Sequence, residues 1–102
     1  MTKDPQVTAA VKEILDLIKN ISPGKSVELR VPPYGAIQCV AGSNHRRGTP
    51  PNTVEMSGQT LIRLINEPDL WITLCESGEV RASGLLSDLS NLFAQAAVKY
   101  RA

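Results

Sequence analysis

Between Ser26 and Met56 the chain reads SVELRVPPYGAIQCVAGSNHRRGTPPNTVEM. Val27, Leu29 and Val31 alternate with Glu28 and Arg30, the period-two pattern of a strand with one buried face. Pro32 and Pro33 stop that strand, because neither can donate a ladder hydrogen bond. Tyr34-Gly35 completes a turn, and Ala36 to Ala41 reads as the returning strand. Its two faces, Ile37-Cys39-Ala41 and Ala36-Gln38-Val40, differ little in polarity, which suits a central strand. Gly42 to Asn52 has the composition of a loop, and Asn52 to Met56 returns as a short third strand. A sheet begun this way needs helices to cover its apolar face.

The flanking sequence supplies them. Asp4-Pro5 is an N-cap followed by proline at the first helical position. Val7, Val11, Ile14, Leu15 and Ile18 then recur at helical spacing, with Lys12, Glu13, Asp16 and Lys19 on the wet side. Met1 to Lys3 are expected to fray, and Asn20 to Lys25 ends the helix at Ser-Pro-Gly. Ser57 caps a helix from Gln59 to Asn66, with Leu61, Ile62 and Ile65 inward. Pro68 breaks it, Asp69 caps another that runs to about Glu76, and Gly78 sits where a helix ends in the left-handed conformation. Glu79 to Ser83 is a further strand, and Gly84 permits the turn out of it. Ser87 caps a last helix with the broad apolar stripe Leu89, Leu92, Phe93, Ala96, Ala97 and Tyr100. Strands grouped with helices beside them predict one α+β domain over 1–102 with a mainly antiparallel sheet.

At 102 residues a chain can bury one core without disulfides or a metal. Eleven basic and ten acidic residues leave a net charge of +1. That balance argues against nucleic acid and anionic membrane as partners. The four aromatic side chains are well separated and offer no stacking platform for single strands. No apolar run is long enough to span a bilayer, and the N-terminus lacks the order of a secretion signal. Cys39 and Cys75 lie in apolar-rich segments, as reduced thiols do in a cytoplasmic protein.

Two blocks, VELRVPPYGAIQCVAGSNHRRGTPPNTVEM and SGQTLIRLINEPDLWITLCESGEVRASGLLSDLSNLF, resemble the small bacterial sterol-carrier-like proteins. These are a distant branch of the sterol carrier protein type 2 superfamily. The Arg-Val-Pro-Pro-aromatic-Gly turn and the later Arg-Gly-Thr-Pro-Pro-Asn carry the likeness to that branch. The stretch from Trp71 through Gly78-Glu79-Val80-Arg81-Ala82-Ser83-Gly84 carries the likeness to the wider superfamily. The resemblance implies a curved sheet with helices on one face and an apolar tunnel for an acyl chain or sterol. The chain departs from the better-known carriers in lacking their longer central strands, and the His45-Arg46-Arg47 loop stands in that region.

Candidate sites follow from residue chemistry beside that likeness. His45, Arg46 and Arg47 next to Gly48 could meet an anionic head group through forked guanidinium donors, or simply be a solvated loop. Trp71, Leu74, Leu85, Leu89, Phe93 and Tyr100 are the apolar candidates for a tunnel wall, with Tyr34 at the hairpin turn; at helical spacing they equally describe a plain core. Cys39 with His45 is the one thiol–imidazole combination, and Cys39 between Ile37 and Val40 is more simply a core residue. Cys39, His45 and Cys75 lack the paired spacing of a zinc site. The expectation is a non-enzymatic carrier-like protein for a lipid or other hydrophobic small molecule, without cofactor or metal. Its rival is a protein-interaction or stabilising module with a filled core, able to form a homodimer.

Overall fold

The computed structural model describes residues 3–42 and 52–101. Helix α1 (Pro5–Ile21) leads into strands β1 (Val27–Val31) and β2 (Gly35–Cys39). Strand β3 (Asn52–Met56) is followed by helix α2 (Gly58–Asn66), a 3-10 turn at Pro68–Leu70 and helix α3 (Trp71–Ser77). Strand β4 (Val80–Ser83) and helix α4 (Ser90–Arg101) complete the order. Among the described residues no helix is long and apolar enough to cross a membrane.

The local start and stop signals behave as their chemistry demands. The Asp4 carboxylate accepts hydrogen bonds from the backbone N–H groups of Gln6 and Val7, with Pro5 at the first position of α1. Ser57 Oγ accepts from the N–H of Thr60 and caps α2. Gly78 ends α3 in the left-handed conformation, at φ 85°. Two caps differ from expectation. Asp69 lies within the 3-10 turn, and α3 begins at Trp71 without a side-chain cap. Ser87 turns its hydroxyl to the carbonyl of Gly84, while the Asp88 carboxylate takes the N–H of Ser90 at the start of α4.

The four strands form one sheet in the order β2-β1-β3-β4. The pairs β1–β2 and β3–β4 are antiparallel, whereas β1–β3 is parallel, so the sheet is mixed although mainly antiparallel. β2 is therefore an edge strand of the described sheet and not a central one. It ends at Cys39 because Val40 turns into positive φ, at 68°. Its muted alternation reflects that position: Gly35 and Ala36 are exposed while only Cys39 is fully covered.

The parallel pairing explains the tight stitching beside Val40. β2 finishes level with the start of β1, where β3 also begins: Val27 pairs with both Cys39 and Asn52. At this level Val40 crosses to the segment that leads into β1. Val40 N–H donates to the Ser22 carbonyl and its own carbonyl accepts from Ser26 N–H, at 2.8 and 3.1 Å. Gly24 lies against this crossing at φ 154°, where a Cβ would overlap the backbone of Val40.

Val27, Leu29, Val31, Val54, Met56 and Val80 point into a single core with residues of all four helices. The opposite face carries Glu28, Arg30, Thr53, Glu55 and Arg81, partly or fully exposed. On that face Glu28 pairs with Arg30 and Glu55 with Arg81 across the β3–β4 ladder. α1, α2 and α4 pack on one another over the buried side. α2 contributes Leu64 as well as Leu61 and Ile65, while Ile62 is only half-buried.

Candidate functional site

Two places hold expected residues, several of them at the first and Tyr34 alone at the second. The first is the interior beneath α4. Trp71 and Phe93 meet with ring centroids 5.8 Å apart and planes tilted by 32°. Phe93 and Leu74 are buried, as is Leu89 just before α4, and Tyr100 packs at the margin. These are the side chains expected to wall a tunnel, and here they pack in one core between helices and sheet. Leu85 departs from that expectation. It is 100% exposed, because the turn from Gly84 to Ser87 carries it away from the core.

The second place is an open cleft of about 470 Å³ at the hairpin turn. Pro32, Pro33, Tyr34 and Met56 form an apolar wall, and Ser57, Gln59 and Thr60 at the start of α2 form a polar one. The Tyr34 ring lies so close to Gly58 that a Cβ there would strike it and Val7. Tyr34 Oη also accepts a hydrogen bond from Asp4 N–H, at 3.4 Å. The turn is thereby tied to both α1 and α2, and Tyr34 joins the same core as Trp71. The paired Glu55 and Arg81 also line the cleft. Such a cleft can hold a small molecule with one apolar side and a hydrogen-bonding side. Its sequence signals were the Ser57 cap and the Pro-Pro turn, but their meeting across the fold has no local pattern.

His45, Arg46 and Arg47 lie outside the described residues. Cys39 lies inside them and is wholly buried on the inward face of β2. Burial pushes its thiol from 9.0 up to about 11. A nucleophilic cysteine needs the opposite shift and access to solvent, so Cys39 is a core residue. Cys75, on α3, is half-buried; its thiol is also raised, by burial first and by the nearby Asp88 charge second.

The Cys39 shift makes a stability prediction with a definite sign. The unfolded thiol loses its proton near pH 9, before the native one does at about 11. The unfolded state therefore binds fewer protons in that window, and stability falls as pH rises through it. Two pH units correspond to about 2.7 kcal/mol, the full contribution being present below pH 9. Urea unfolding of the wild type and Cys39→Ala should diverge in slope against pH only above 9. Iodoacetamide should label Cys75 well before Cys39, and equal rates would contradict this placement.

The profile of the bacterial SCP ortholog family matches residues 3–94. The chain belongs to that family. Membership places it among carrier-type proteins and not with an enzyme family. A solved structure titled "UbiJ-SCP2 Ubiquinone synthesis protein" is similar over 100% of this chain and 98% of its own, with 21% identity and a TM-score of 0.56. At that identity the likeness speaks for the SCP2-like fold. No curated protein sequence is detectably similar to the chain.

Proposed function

We propose that this SCP ortholog is a cytoplasmic, non-enzymatic carrier-like protein that binds a small amphipathic ligand. The apolar part would lie between the helices and the sheet, against Trp71, Leu89 and Phe93. A polar or acidic head would be met by His45, Arg46 and Arg47, with Tyr34 as a further contact. Family membership over residues 3–94 carries the reading. The similar structure's title concerns ubiquinone synthesis, and ubiquinone itself joins a polar ring to an apolar tail.

Because Trp71 and Phe93 occupy the interior, a ligand must displace them, with α4 shifting outward. α4 offers small side chains, Ala96 and Ala97, along its buried stripe, which leaves few atoms to interlock. Exposing a side chain like Phe93 costs about 1.5–3 kcal/mol, whereas each buried methylene returns about 0.8. A chain must therefore bury roughly two to four carbons to offset Phe93 alone. Long chains are expected to bind, and short ones not. Affinity should rise about fourfold per methylene once binding is measurable.

Native mass spectrometry of freshly purified protein, followed by organic extraction, should reveal a bound lipid. Titration with fluorescent acyl probes of increasing length should show the methylene dependence. Protein that is unliganded and indifferent to every probe would instead favour a filled interaction or stabilising module. The close Trp71–Phe93 packing supports that second reading.

A further inference from the structure

No further inference is drawn: the strongest candidate, the open cleft between the hairpin turn at 32–34 and the first turn of α2, rests on a helix N-terminus, since the buried Thr60 hydroxyl that lines it is already hydrogen-bonded to Ser57 and no other described residue there points to a ligand.

Discussion

Phe93→Ala is expected to lower the unfolding free energy by about 3–5 kcal/mol. Phe93 is 0% exposed and is the largest fully buried side chain among the described residues. It is held by Trp71 from α3 at 5.8 Å and sits on the helix that packs against both α1 and α2. Truncation removes the transfer free energy of the ring and also leaves a void that a close-packed surround fills only in part. For a chain near this length the melting temperature should drop by roughly 15 °C or more. Urea unfolding gives the free-energy difference directly, and a drop of only a few degrees would mean that α4 does not close the core. Phe93→Leu keeps most of the volume and should cost less than about 1.5 kcal/mol. The variant also separates the two functional readings. In a carrier, a long-chain ligand entering the void should restore stability, by about 2.7 kcal/mol at a hundredfold excess over its dissociation constant. In a filled module the loss should stand whatever ligand is added.

Elements with a local chemical signature could be read before any coordinates. Asp4-Pro5, Ser57 and Gly78 act through neighbours two to four residues away, so adjacent sequence carried enough information. The alternation in Val27–Val31 likewise told which side chains face inward, since facing is a property of one strand. It did not tell how many neighbours a strand has. β2 looked central because its two faces were alike, yet that likeness came from exposure at an edge. The parallel pairing of β1 with β3 depends on how the chain crosses past Ser22 and Ser26, a contact no periodicity encodes. Trp71 and Phe93 were legible as apolar stripe residues, and they meet. Leu85 had the same composition and belongs to the surface, because a polar residue more than thirty positions earlier fixes its turn. The cleft wall of Tyr34 against Gly58 was hidden for the same reason: it joins two segments through tertiary packing alone.

Asn52→Ala should be the most damaging polar substitution outside the helix caps. Its side chain is buried where β1, β3 and the turn before α4 converge. The amide nitrogen donates to the Ser26 carbonyl at 2.8 Å, and Oδ1 accepts from Leu86 N–H at 2.9 Å. Gly84 passes so close, at φ 108°, that a Cβ there would overlap the same amide. Alanine leaves a buried carbonyl and a partly buried N–H without partners, each costing about 1–3 kcal/mol. The sum is expected to be about 2–4 kcal/mol, somewhat below two full penalties because water can reach the Leu86 side. Asn52→Asp is the informative companion. It keeps the acceptor for Leu86 N–H but sets a carboxylate oxygen against the Ser26 carbonyl, so it should destabilise at neutral pH and recover as acid protonates it. Hydrogen exchange adds a readout that total stability lacks. In Asn52→Ala the amide of Leu86 should lose protection first, while Leu29 in the β1 core keeps its own until global unfolding. Equal loss at both positions would show that Asn52 supports the whole sheet and not the turn that carries Leu85.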